Sequence, residues 1–188
     1  MPITAQIALL TGRADVMELF NNEVFSYTTF GGEALSLAAC IATINEIREK
    51  NVPQYLDEKG QILKDGYNQI SKEFGMENLT KCIGYNCRTM ITFAPEVGNG
   101  LEVKALMQQE MIKRGILWAG FHNMCFSHSD EDIQYTLSAY REVMPIVKHA
   151  IESQNVKSFL KGEVLEAVFR KTSSYNIKPA TPKELVFD

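Results

Sequence analysis

Between Glu33 and Lys50 the chain carries Leu35, Leu37, Ala38, Ala39, Ile41, Ala42, Ile44 and Ile47 without a single glycine or proline. At 3.6 residues per turn these positions run nearly all round the first half of the segment. That is the pattern of a helix enclosed by protein on every side, not of one lying on a surface. Asn51-Val52-Pro53 stops it, because proline restricts the residue before it and cannot continue the hydrogen-bond ladder. A chain holding such a helix must bring, or find, enough apolar surface to surround it.

The elements on either side are less demanding. Ile3 to Leu10 is small and apolar and ends at Thr11-Gly12, which reads as a buried strand. Asp15 to Asn21 reads as a short helix, and Val24 to Phe30 is rich in β-branched and aromatic residues and runs into Gly31-Gly32. Beyond the central helix, Tyr55 to Phe74 is amphipathic, with Leu56, Ile62, Leu63, Tyr67, Ile70 and Phe74 at helical spacing before Gly75. Leu79 to Phe93 reads as two strands broken near Gly84-Tyr85-Asn86. Leu101 to Arg114 is a helix closed by Gly115, and short strands are expected at Ile116–Ala119 and Met124–Ser127. Ser129 to Asp132 forms a capping box for a helix reaching about Ser153, whose buried stripe is Ile133, Leu137, Tyr140, Met144, Val147 and Ile151. A helical patch, Gly162 to Arg170, lies in the tail. The second half is thus an α+β layer, one small sheet covered by helices on one face.

Composition narrows the function classes. A chain of 188 residues with 45% hydrophobic content can bury a core without disulfides or metals. The net charge of −4 comes with no Lys/Arg-rich stripe, which argues against nucleic acid or an anionic membrane as partner. Cys40, Cys82, Cys87 and Cys125 show no C-x-x-C spacing. They read as reduced, mostly buried thiols of a cytoplasmic protein rather than as a disulfide framework or a zinc site, and no metal is expected. Met1 to Leu10 lacks the basic flank and the apolar length of a signal peptide or membrane span.

Chemistry concentrates at Thr28-Thr29-Phe30-Gly31-Gly32, directly before the apolar helix. A helix N-terminus offers unpaired N–H groups and a partial positive charge, glycines allow close backbone approach, and threonine hydroxyls donate to phosphate oxygens. Gly-Gly before a helix is also an ordinary turn, so this feature has two readings when taken alone. The stretch Val24 to Ala39 resembles the Thr-Phe-Ser/Gly-Gly-Asn-Pro-Leu-x-x-Ala-Ala segment of class III pyridoxal-phosphate (PLP) aminotransferases, in the branch related to glutamate-1-semialdehyde 2,1-aminomutase. Met1-Pro2-Ile3 through Gly12-Arg13 and Met17 resembles the family's segment just after its Schiff-base lysine. Gly115-Ile116-Leu117-Trp118 with Ser127 to Ile133 resembles its final strand pair and helix start. These run in the family's order from residue 1 to about 153. Glu33-Ala34 stands where the family has Asn-Pro.

The resemblance implies an α+β fold: the C-terminal small domain of a fold type I PLP-dependent transferase with a remnant of the large domain. It implies a large-domain remnant and linking helix at residues 1–50, the small domain at 51–153 and a tail at 154–188. It assigns Thr29, with Thr28, Gly31 and Gly32, to the phosphate of PLP held by the other subunit of a homodimer. The family's lysine falls upstream of Met1, so the resemblance implies no catalytic residue here and no activity of the chain alone. Lys50, Lys59, Lys64 and Lys72 all read as solvated helix faces or turns. The complete enzyme would act on a small amino acid or amino-aldehyde; the alternative is a non-enzymatic α+β dimerisation or regulatory module.

His122 and Asn123 fall between two expected strands, where a loop lines a pocket or simply faces water; both readings stand, the first making them substrate contacts. Ala119 to Asn123 lacks the acidic residue that aminomutase-like relatives tend to carry there. His128 reads as structural, Arg88 as a surface-pairing residue, Trp118 and Phe121 as core, and the eight methionines as core filling.

Overall fold

In the computed structural model of the chain, residues 8, 10–25, 29 and 31–164 are described. The chain divides into two compact units, Met1–Asp57 and Glu58–Asp188. The expected strand at Ile3–Leu10 lies outside the described residues except for Ala8 and Leu10, as do Ser26, Tyr27, Thr28 and Phe30 of the following segment. Leu165 to Arg170 of the expected tail helix lies outside them too.

In the first unit the short helix expected at Asp15–Asn21 is two single turns, α1 (Ala14–Met17) and α2 (Leu19–Asn22), with Glu18 between them. The long helix α3 (Ala34–Glu49) forms as the sequence requires, and Glu33 caps it by accepting from the N–H groups of Leu35 and Ser36. It ends at Lys50, and Asn51 takes a positive φ of 46°, a conformation asparagine tolerates better than most residues. Burial is where the expectation fails. No residue of α3 is buried, and Leu35 and Ile41 are 74% and 62% exposed. Apolar positions all round a helix do not select one face to pack, so enclosure depends wholly on surrounding protein.

The second unit contains a closed core. Helix α4 (Val52–Glu73) tolerates Pro53 in its first turn, where the missing N–H has no partner in any case. It buries Leu63, Tyr67 and Ile70. Strands β1 (Thr80–Tyr85) and β2 (Arg88–Phe93) form an antiparallel hairpin with Tyr85 opposite Arg88, which puts the turn at Asn86-Cys87. Their alternation sends Thr80, Cys82, Thr89 and Ile91 inward. Helix α4 passes so close to that turn that a Cβ on Gly60 would sit 1.8 Å from the Asn86 carbonyl oxygen. Helix α5 (Gly100–Lys113) buries Val103, Leu106, Met107 and Met111. Helix α6 (Asp130–Glu152) starts at the expected capping box of Ser129 and Asp132, and buries Ile133, Leu137, Tyr140, Met144 and Val147.

Between α5 and α6 the structure departs from the two expected strands. Ile116–Ala119 and Met124–Ser127 are not strands; one strand, β3 (Phe121–Asn123), pairs with β2 with His122 opposite Thr89, giving the order β1-β2-β3. Pairing with β2 begins at Gly120, whose carbonyl accepts from the Ile91 N–H at 2.9 Å. Its φ of +93° turns the chain there, a conformation that favours glycine.

The open edge of β1 is closed by side chains of α4. Ser71 Oγ donates to the Thr80 carbonyl at 3.0 Å. Asn68 accepts from the Cys82 N–H at 2.9 Å and donates to the Cys82 carbonyl at 3.0 Å, as a neighbouring strand would. Lys64 reaches the Gly84 carbonyl at 3.4 Å and Asn86 Oδ1 at 2.5 Å. Lys64 is therefore an edge cap, not the solvated lysine expected. Lys59, also expected to be solvated, has a side chain only 16% exposed and pairs with Asp130.

Replacing Asn68 by alanine leaves the Cys82 N–H and carbonyl without partners at a half-buried edge, which costs about 1–3 kcal/mol. The expected outcome is a lower denaturation midpoint together with concentration-dependent association through the opened edge, read by chemical denaturation and sedimentation velocity. An unchanged midpoint would show that Asn68 does not hold the edge.

Candidate functional site

Two places hold the residues singled out by the sequence, one in each unit. In the first, Thr29, Gly31 and Gly32 form an exposed turn before α3, and Thr28 lies outside the described residues. A Cβ on Gly32 would meet nothing within 4 Å, so the chain itself does not demand glycine there. The N–H groups of Leu35 and Ser36 are taken by Glu33 at 2.7 and 2.6 Å. Hydrogen bonding from the Ser36 side chain, and then from those two N–H groups, holds the Glu33 carboxyl below its ordinary range, so it is ionised at neutral pH. Thr29, Gly31 and Gly32 are exposed, whereas the N–H groups of Leu35 and Ser36 already hold a carboxylate.

The second place is a cavity of about 410 Å³ between β3 with its preceding loop and the first turns of α6. Leu63, Ile116, Trp118, Met124 and Ile133 form its apolar wall; Asn123, His128, Asp132 and Thr136 supply its polar groups. In the sequence Asp132 stands out only as a cap, and Thr136 does not stand out at all. Asp132 and Thr136 stand four positions apart on α6 and so share one helix face, while His128 precedes the N-cap.

His122 is in a strand, not a loop, and only 8% exposed. Its Nδ1 lies 2.7 Å from Thr89 Oγ1 and its Nε2 2.7 Å from the Tyr140 hydroxyl. Burial lowers its pKa to about 4. The ring is therefore neutral at pH 7, with both nitrogens committed inside the protein, and it forms cavity wall rather than a proton-transfer group. Burial likewise pushes the Tyr140 hydroxyl above its ordinary range. Trp118, 2% exposed and core as expected, has its indole near that hydroxyl, yet its N–H finds no partner of hydrogen-bond geometry. Phe121, expected in the core, is 41% exposed because it occupies the outward position of β3. Arg88, on the same outer face, lies 5.9 Å from the Phe121 ring centroid. Asn123 is exposed opposite Arg88.

All four cysteines are free thiols. Cys82 is buried, but Cys87 and Cys125 are exposed, against the expectation that most would be buried. Cys87 is in the hairpin turn and Cys125 follows β3. His128 accepts from the Cys125 N–H at 3.2 Å, a local structural role. Among the described residues no group of three His, Cys, Asp or Glu is gathered as for a metal ion. No described helix is long and apolar enough to cross a membrane.

No family model matches this chain. Solved structures do. The FumI protein of Sphingopyxis sp. MTA144, determined in its PLP internal aldimine form, aligns over 73% of this chain and 33% of its own, with TM-score 0.59 and 25% identity. An omega-transaminase from Sphaerobacter thermophilus aligns over 73% of this chain and 34% of its own, with TM-score 0.61 and 16% identity. The chain has the fold of part of a PLP-dependent aminotransferase, and it spans about one third of the length of these structures.

The buried imidazole makes a stability prediction. The folded pKa of His122 is lowered to about 4 from an ordinary 6.5, so the unfolded chain binds the proton first. Stability is unaffected above pH 6.5 and falls as pH drops from 6.5 towards 4, by about 3 kcal/mol in all. Urea midpoints measured across that window should decline in the native chain, and His122→Gln should flatten the decline even though it lowers stability overall. An equal slope in the variant would show that other groups control acid sensitivity.

Proposed function

We propose that this chain is a portion of a PLP-dependent enzyme that moves an amino group between an amino acid and a carbonyl partner, and that it does not catalyse this alone. The observation carrying the reading is the alignment of 73% of the chain with 33% of a PLP-bearing structure at 25% identity. Bound PLP would supply the electron sink for the chemistry. In this chain Thr29 would hold its phosphate from the neighbouring subunit of a homodimer, with Gly31 and Gly32 allowing approach and Thr28 beside them. The Thr29 segment argues for the aminomutase-like branch. The missing carboxylate in Ala119–Asn123 argues against its isomerase specificity and leaves amino-group transfer as the reaction. We place the protein in the cytoplasm, where free thiols persist.

The surroundings of the described lysines support inactivity of the chain alone. A Schiff-base lysine must be desolvated in a pocket and aimed at the cofactor. Lys59 pairs with Asp130, and Lys64 is bound to the β1 edge. No lysine lines the cavity beside α6. Exposed apolar surface supports the view that the chain works covered by more protein: Leu35 on α3 and Leu117 before β3 are 74% and 93% exposed. A second reading, a non-enzymatic α+β module, is favoured by the closed core of the second unit, where Tyr67, Ile70, Met76 and Met144 have no exposure at all. Sedimentation and binding of an apolar dye separate the two: a monomer with no dye-accessible surface would sink the partial-enzyme reading.

The cofactor claim has its own test. Incubation with PLP followed by borohydride reduction should leave no single lysine stoichiometrically modified when peptides are mapped by mass spectrometry. One uniquely modified lysine would overturn the claim of inactivity.

A further inference from the structure

Asn99 is the one asparagine of the chain that precedes glycine; every other asparagine precedes a residue with a side chain. The backbone nitrogen that follows an asparagine can attack the side-chain amide carbon, closing a five-membered ring, which is one source of the thermal lability of asparagine. Glycine makes that attack easiest, because no Cβ crowds its nitrogen and its backbone reaches the most conformations. Gly100 is the first residue of α5, where the N–H groups have no partner within the helix. Asn99 is exposed and is the N-cap of that helix. Its side-chain oxygen accepts from the Leu101 N–H at 3.1 Å, and its Nδ2 donates to Glu102 at 3.1 Å. Both bonds tie the side chain to the first turn of α5, so ring closure proceeds through conformations in which the cap is released. Gly98, with a φ of +80°, precedes Asn99, so the cap stands between two glycines with little side-chain bulk to oppose that release.

We propose that Asn99 is a self-modification site of this chain. The Gly100 nitrogen bonds to Asn99 Cγ, the Cγ–Nδ2 bond breaks, and ammonia departs with the proton that the Gly100 nitrogen loses. Water then opens the ring at either carbonyl. One opening leaves aspartate in the ordinary main chain; the other carries the main chain through the former side-chain carbon, as isoaspartate. Neither needs an oxidant or a cofactor, and the site is independent of the amino-transfer reading above. Aspartate caps a helix as well as asparagine does, but it sets a carboxylate beside Glu102 where a donor stood. Isoaspartate adds a main-chain carbon between the cap and the helix. It thereby breaks the bond to Leu101 at the end of α5 from which Val103 and Leu106 enter the core with no exposure. Conversion therefore loosens the start of α5 as the chain ages.

The full chain, incubated in warm, mildly alkaline buffer and mapped by mass spectrometry, should gain the amide-to-acid mass increment at Asn99 ahead of every other asparagine. An isoaspartate-specific methyltransferase should label the same peptide. In Gly100→Ala the new Cβ meets only Phe93 Cβ, at 3.9 Å, so the fold is kept. Conversion in that variant should slow by about an order of magnitude, because the attacking nitrogen is now crowded and its backbone restricted. Asn99→Ser keeps a capping oxygen and cannot close the ring. It should abolish labelling of that peptide and hold a constant denaturation midpoint through an incubation that lowers the midpoint of the native chain. No conversion at Asn99, earlier conversion at another asparagine, an equal rate in Gly100→Ala, or an equal fall of midpoint in Asn99→Ser would each overturn the proposal.

Discussion

The fit of α4 along the open edge of β1 fixes the arrangement of the second unit. A three-stranded sheet has two edges, and an unpaired edge offers N–H and C=O groups to any passing strand. Lys64, Asn68 and Ser71 meet Gly84, Cys82 and Thr80 in antiparallel order. Seven helical residues rise about 10.5 Å and four strand residues extend about 13 Å, so long and short side chains together take up the difference. This contact allows α4 one rotation and one sliding position. Leu63, Tyr67 and Ile70 then face the core, and the Tyr67 hydroxyl comes 2.6 Å from Thr80 Oγ1. Gly60 belongs to the same constraint, because a helix held this close leaves no room for a side chain against the Asn86 carbonyl.

Polar groups continue the specification inward. Thr89, His122 and Tyr140 link β2, β3 and α6, while Tyr67 and Thr80 link α4 and β1. The two tyrosine rings meet edge to face with centroids 4.9 Å apart, joining the two groups of bonds. An apolar core would tolerate β3 slipping by two residues. A buried imidazole opposite Thr89 does not, because slippage would leave polar atoms unpaired where water cannot reach them. The register of a strand only three residues long is thus held by one side chain more than by its ladder.

What the sequence made legible is what local chemistry decides. The capping box at Ser129, the stop at Asn51-Val52-Pro53 and the apolar stripe of α6 each rest on neighbours within one or two turns, and all three formed. What it concealed depends on partners distant in sequence. Asn68 reads as a surface residue because nothing local shows that Cys82 lies beside it. Strand β3 is hidden because its one inward residue is histidine, and because pairing begins at Gly120, past the apolar run that resembled a strand. For α3 the helix was legible and its burial was not, since burial belongs to whatever surrounds the helix. The cavity residues Asp132 and Thr136 shared the second difficulty: their spacing was visible, but the wall opposite them comes from α4 and β3.

Glu33 sharpens the question of the Thr29 segment. The family segment that Val24 to Ala39 resembles has Asn-Pro where this chain has Glu33-Ala34, and either Asn or Glu can accept N–H bonds at a helix start. The asparagine would do so without charge. Glu33 does so as a carboxylate, and the two N–H groups it binds are among those a phosphate would need. Putting a phosphate there means either displacing Glu33, with loss of the cap, or holding two anions at one helix end. A phosphate bound through the Thr29 hydroxyl and the Gly31-Gly32 backbone avoids both costs. The helix would then position the turn, and the turn alone would make the contact.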